Sequence, residues 1–151
     1  MGAAEEYLTR SPAETEAAAR QFAASLQPGE IVAYRGPMGA GKTAFTRGVA
    51  SYFGLEDQVS SPTFALVNEY RGGGVKLFHF DLYRVSGWEG LYSIGFFDYL
   101  DQGAILLVEW SENAAGAIEE PVTLVTLEIL DETTRRITVR RRVLLTEEGI
   151  H

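Results

Sequence analysis

The chain has 151 residues, 46% of them hydrophobic and 23% charged, the balance of a soluble globular protein with length enough for one core. It holds no cysteine and two histidines, one of them the last residue, which excludes disulfides, cysteine-based zinc sites and thiol chemistry and argues against a histidine-based metal centre. The net charge of −8 argues against direct grip on a nucleic acid, which takes a basic face. The opening "MGAAEEYLTR" is acidic and has no apolar h-region, and no stretch is long and apolar enough to span a bilayer. A cytoplasmic protein is expected, with residues 1–151 read as one domain.

The first predicted element is a helix in "SPAETEAAARQFAASL". Ser11 can cap it, Pro12 suits its first position, and Glu14 completes a capping box. Ala19, Phe22, Ala23 and Leu26 recur at helical spacing as one apolar stripe, and "QPGE" ends the element. "EIVAYR" then has the length and apolarity of a strand, and "KTAFTRGVASYFG" reads as a second helix closed by Gly54. Pro62 keeps Ser61 out of the helical region, so "VSSPTFALVNEY" continues into a strand. The turn "RGGG" and the strand "VKLFHFDLYR" complete a hairpin. "SGWEGLYSIGFFDYLDQG" gives short helical pieces interrupted by glycine.

"AILLVEW" is a near-continuous apolar strand of the kind buried on both faces. "PVTLVTLEIL" and "RRITVRR" are two further strands joined by the polar turn "DETT". The only basic cluster, Arg135 to Arg142, alternates with apolar residues and reads as an edge strand with a solvated face. Interleaved helices and strands, without repeat or linker, predict a three-layer α/β domain of P-loop NTPase type around a mixed, mostly parallel sheet.

Chemistry enters at "GPMGAGKT", Gly36 to Thr43, which satisfies the full phosphate-loop pattern between a strand and a helix. Glycines let the loop turn tightly. Met38, Gly39, Ala40 and Gly41 then offer backbone N–H groups to anionic oxygens, and the helix adds its positive end. Lys42 places an ammonium against the β and γ phosphates, and Thr43 offers a hydroxyl to magnesium. Glu109, an acid after an apolar strand, is a candidate second handle on the metal, where aspartate is commoner.

In "HFDLYR", strand alternation puts His79 and Asp81 on one face and Phe78, Phe80 and Leu82 on the other. Asp81 could orient an attacking water or hold a magnesium-bound one. His79 reads equally as structural or functional. Tyr83 and Arg84 could form a latch, and Arg84 could neutralise phosphate charge. Thr63 in "SSPTF" sits where switch threonines sense a γ-phosphate. Trp110 faces away from Glu109 if its strand continues. Lys42, Asp81 and Glu109 are thus the candidate catalytic residues, and Thr43 and Glu109 the candidate magnesium ligands.

No Asn-Lys-x-Asp guanine reader and no Asp-x-x-Gly switch occur, so GTP is disfavoured. A small-molecule kinase would need an arginine-bearing lid, for which the chain has little room. An ATPase that resets a partner protein fits best, with the kinase as the alternative.

The segments "GPMGAGKTAFTRG", "SSPTFALVNEY", "LFHFDLYR" and "LLVEWSE", in this order, resemble the bacterial TsaE (YjeE) family, and the resemblance covers nearly the whole chain. It implies an ATPase that works with TsaB and TsaD, which transfer a threonylcarbamoyl group to adenosine 37 of tRNAs reading ANN codons. ATP and magnesium are the implied cofactors, with tRNA reached only through the partners. By position, the resemblance gives Lys42 and Thr43 phosphate and magnesium, Glu109 the metal, Asp81 the family's important aspartate and Thr63 the switch threonine. It also puts Thr15 near the nucleotide base and Arg136 at a late arginine near the nucleotide. Asp98 departs from the family outline, where a glutamate is expected.

Overall fold

The computed structural model describes residues 4–59, 67–82, 85, 87–110 and 118–145. The two apolar runs become β2 (Ile31–Arg35) and β5 (Ile105–Glu109), each buried at its first four positions. Consecutive residues point to opposite faces, so burial of all of them needs cover on both sides and a central place in the sheet. The two strands pair in parallel, Ile31 opposite Leu106 through Tyr34 opposite Glu109. β4 (Val75–Asp81) lies parallel to β5, and β6 (Val122–Ile129) parallel to β2. β3 (Val67–Gly72) returns antiparallel along β4, forming the expected hairpin through Gly73 and Gly74.

β7 (Arg135–Val143) pairs antiparallel with β6, and β1 (Glu5–Thr9) antiparallel with β7. The order across the sheet is β1-β7-β6-β2-β5-β4-β3. From the pairings, every strand but β3 and β7 runs in one direction, so the sheet is mixed and mostly parallel, as expected.

The edge position expected for "RRITVRRR" is corrected here: β7 is an interior strand, covered by β1. The strand β1 has no apolar run to announce it. Its stability comes from pairing with β7, from Tyr7 against the core, and from Thr9, which is buried. The arginines on β7 find acids on both neighbours. Arg141 Nε lies 3.0 Å from Glu5 Oε2, and Arg136 Nε lies 2.8 Å from Glu128 Oε1.

Helices cover both faces. α1 (Pro12–Ala23) and α2 (Lys42–Tyr52) bury Ala19, Phe22, Ala23, Phe45, Val49 and Ala50 against the face that carries Val32, Tyr34, Leu107 and Val125. α3 (Gly87–Ser93) and α4 (Phe96–Leu100) bring Leu91 and Phe96 to the other face, onto Phe78, Phe80, Leu106 and Val108. Each fully buried Phe or Leu contributes roughly 1.5–3 kcal/mol by leaving water, so this packing, not helix propensity, fixes the short helices. α1 and α2 cross at Gly48. A Cβ there would stand 2.4 Å from the Glu16 carbonyl oxygen and 2.6 Å from Ala19 Cβ.

Candidate functional site: a phosphate loop facing two carboxylates

The site lies at the carboxyl ends of the parallel strands. β2 runs into the glycine loop, β4 ends on Asp81 and β5 ends on Glu109. Asp81 and Glu109 are register partners, so adjacent parallel strands deliver two carboxylates side by side. Alternation acts as expected on β4: Phe78 and Phe80 are buried in one core, while His79 and Asp81 face the α1/α2 side with Leu77.

The loop ends at Gly41, which caps α2 at φ 105°, a left-handed conformation open to glycine. Gly41 offers no side-chain hydrogen bond to the helix, and the first turn of α2 carries no acid. The leading N–H groups of α2 therefore lack a side-chain cap, the arrangement that receives an anion. Lys42 bends back over the loop and donates to the Gly36 carbonyl at 2.9 Å. Its ammonium lies 3.9 Å from Glu109 Oε1 and 4.6 Å from the centre of the Trp110 ring.

The condition for Trp110 to face away from Glu109 is not met. β5 stops at Glu109, and Trp110 adopts φ 60°. After that turn the indole lies under the Lys42 ammonium while packing against the α3/α4 core.

Glu109 is held from its other oxygen. His79 Nε2 lies 2.6 Å from Glu109 Oε2, and both side chains are 12% exposed. The His79 ring stands beside Tyr34, whose hydroxyl accepts a hydrogen bond from Thr46 at 3.1 Å. Full burial raises the Tyr34 phenol far above its ordinary range, and the Glu109 charge adds to this, so the hydroxyl stays neutral.

Two hollows flank the loop. The first, about 480 Å³, is lined by Met38, Gly39, Gly41, Lys42, Thr43, Asp81, Glu109 and Trp110. The second, about 340 Å³, lies between the starts of α1 and α2 and includes Ser11, Thr15, Gly39, Gly41, Ala44 and Arg135. The structure therefore gathers Met38, Gly39, Gly41, Lys42, Thr43, Asp81 and Glu109 around one cavity and puts Thr15 at the other. Thr15 is buried and shares a 2.8 Å hydrogen bond with the Thr9 hydroxyl. Ala40 is buried within the loop. Thr63, Tyr83 and Arg84 lie outside the described residues.

Arg136 is not brought to the site. It is paired with Glu128. Ile137 and Val139 point into the α1/α2 core, so the neighbour Arg135 shares their face and Arg136 takes the opposite one. Arg135 Nη2 donates to the Gly39 carbonyl at 3.1 Å, and Nη1 holds the Asp131 carbonyl at 2.8 Å. It pins the phosphate loop to the β6–β7 turn. The alternation of "RRITV" puts the two arginines on opposite faces but does not say which face carries the loop.

The oxygen donors suit a hard cation: the Thr43 hydroxyl and the carboxylates of Asp81 and Glu109 line one cavity. Among the described residues, no three His, Cys, Asp or Glu side chains group to hold an ion unaided.

The fold and the loop define a three-layer α/β domain of the P-loop type. The family model for the threonylcarbamoyl adenosine biosynthesis protein TsaE matches residues 9–140. The protein of that name from Rickettsia felis is 40% identical over 123 residues, covering 81% of this chain and 71% of its own. The one from Bacillus subtilis strain 168 is 37% identical over 125 residues, covering 83% and 75%. The crystal structure of Bacillus subtilis YdiB superposes with a TM-score of 0.76 at 28% identity, covering 98% of this chain and 95% of that one. The chain belongs to the TsaE family.

Proposed function

We propose that this chain is a magnesium-dependent ATPase that serves a TsaB–TsaD-type complex in the threonylcarbamoylation of adenosine 37 of tRNAs reading ANN codons. The names of its relatives support the pathway. One observation carries the ATP reading: the uncapped start of α2, with Lys42 and Thr43, faces Asp81 and Glu109 across a single cavity. In this reading the phosphates enter that cavity and the nucleoside lies in the second hollow, beside Thr15.

Each residue has a separate task. The backbone N–H groups of Gly39 and Gly41 donate to phosphate oxygens, and Ala40 would join them only by giving up its bond to the Pro37 carbonyl at 3.2 Å. Lys42 leaves the Gly36 carbonyl for the β and γ phosphates. Thr43 and Glu109 hold magnesium, which would neutralise phosphate charge, and Asp81 orients the water. Hydrolysis by the isolated chain is slow, because a partner surface completes the placement of that water. The net charge of −8 favours contact with tRNA through the partners only. The cytoplasm is the setting that goes with this pathway. No helix among the described residues is long and apolar enough to cross a membrane.

The deciding experiment is reconstitution of tRNA modification over several turnovers, with and without this chain, alongside phosphate release. Modification that stalls without the chain, and phosphate release that rises when TsaB- and TsaD-type proteins are added, support the reading. A fast basal rate that ignores the partners, or phosphate transfer to a small metabolite, overturns it in favour of a kinase.

A further inference from the structure

We infer that His79 is a positioning residue that fixes Glu109 and thereby sets the affinity of the site for magnesium. The inference rests on the reading of Glu109 as the handle on the metal.

Two cationic or donor groups compete for the Glu109 carboxylate, and the distances say which one holds it. His79 Nε2 is 2.6 Å from Oε2, a full hydrogen bond, whereas Lys42 Nζ is 3.9 Å from Oε1, at the outer limit of an ion pair. An ionised carboxylate only accepts, so Nε2 carries the hydrogen and donates it. His79 reaches Glu109 diagonally. It sits opposite Leu107 on the neighbouring strand, two residues before Glu109, and alternation turns both side chains to the same face.

The ring is itself fixed. Its centroid lies 6.4 Å from that of Tyr34, which is fully buried. His79 is absent from the lining of the cavity that Glu109, Lys42, Thr43 and Asp81 share, so it acts through Glu109 and not on a ligand.

The division of labour between the two oxygens follows. Oε2 is taken by His79 from behind. Oε1 is left on the Lys42 side of the cavity, 3.9 Å from the ammonium, so Lys42 must draw back for a hydrated cation and a phosphate to enter between them. Without the His79 donor, Oε2 loses its 2.6 Å partner on β4, and Glu109 can swing onto Lys42. The carboxylate would then neutralise the ammonium in place of a metal. Donors behind a metal's carboxylate commonly change its affinity about 10–100-fold when removed.

The test is a magnesium chloride titration by calorimetry, with the full chain and a non-hydrolysable ATP analogue, comparing His79→Leu, His79→Gln and His79→Asn. Gln carries its amide nitrogen about as far from the backbone as Nε2, whereas Asn reaches only as far as Nδ1. The expected result is a magnesium half-saturation raised at least about tenfold in His79→Leu, recovered in His79→Gln and not in His79→Asn. A general structural defect would instead weaken analogue binding equally with magnesium and with EDTA, and that result overturns the inference. So does a magnesium half-saturation in His79→Leu equal to that of the parent chain. Should His79→Leu fail to fold, equal magnesium affinity in the Gln and Asn variants overturns it. If the parent chain binds the analogue without any magnesium dependence, the reading of Glu109 fails first and the inference falls with it.

Discussion

The starts of α1 and α2 lie side by side at the site, and they treat the same physical problem in opposite ways. Both helices expose backbone N–H groups in their first turn. At α1 the chain answers them itself: the Ser11 hydroxyl accepts from the Glu14 N–H at 3.1 Å, and the Glu14 carboxylate accepts from the Arg10 N–H at 2.8 Å. At α2 the cap is a glycine with no side chain and no acid follows it. One helix start is finished for stability. The other has no cap from its own side chains, and beside it stand an ammonium and two carboxylates.

That contrast is tested most strongly at Lys42. Lys42→Ala should weaken ATP binding at least about 100-fold, or ~3 kcal/mol, by calorimetry. Binding within threefold of the parent chain would make the open start of α2 a coincidence of loop geometry. Gly48→Ala attacks the crossing that keeps the two starts together. The added methyl meets the Glu16 carbonyl at 2.4 Å. Overpacking of this kind costs about 1–3 kcal/mol, so the thermal midpoint should fall by roughly 2–12 °C in a calorimetric scan. Ser11→Ala is the mirror of the first variant. It should cost about 1 kcal/mol of stability in urea titrations, and although Ser11 lines the second hollow, ATP affinity should fall far less than in Lys42→Ala. Loss of binding there would blur the two roles.

Smaller effects separate the two arginines. Arg135→Ala frees the Gly39 carbonyl and should weaken ATP binding about fivefold, or ~1 kcal/mol, by fluorescence titration. Arg136→Ala removes an exposed pair with Glu128 and should change stability by less than about 0.5 kcal/mol, with nucleotide affinity held. If Arg136 proves the more important of the two, the assignment of faces on β7 is wrong.

The legible part of this protein was the part coded locally. The loop, the acid ending β5 and the two-residue rhythm that turns His79 and Asp81 together all follow from neighbours in sequence. The capping of α1 was equally local, except that Glu14 reaches one residue further back than expected, to Arg10 rather than Ser11. What stayed hidden depends on distant pairing or on a single dihedral angle. β1 exists because β7 offers it a partner, and five residues with two glutamates do not advertise that. The pairing of β1 then removes β7 from the edge. Trp110 joins Lys42 because one backbone angle turns positive just after the strand ends. The choice between Arg135 and Arg136 turns on which side of the sheet carries the glycine loop, and no composition rule holds that information.

The hairpin β3–β4 gives the site an unusual kind of fragility. Asp81 and His79 ride on a strand next to the sheet margin, and they meet Glu109 only because β4 is in step with β5. Gaining or losing one residue ahead of His79 would send both side chains into the aromatic core under α4 and bring Phe78 and Phe80 towards the glycine loop. Replacing either side chain damages one function at a time. A frame error of one position erases both together, so β4 should tolerate altered residues far better than altered length.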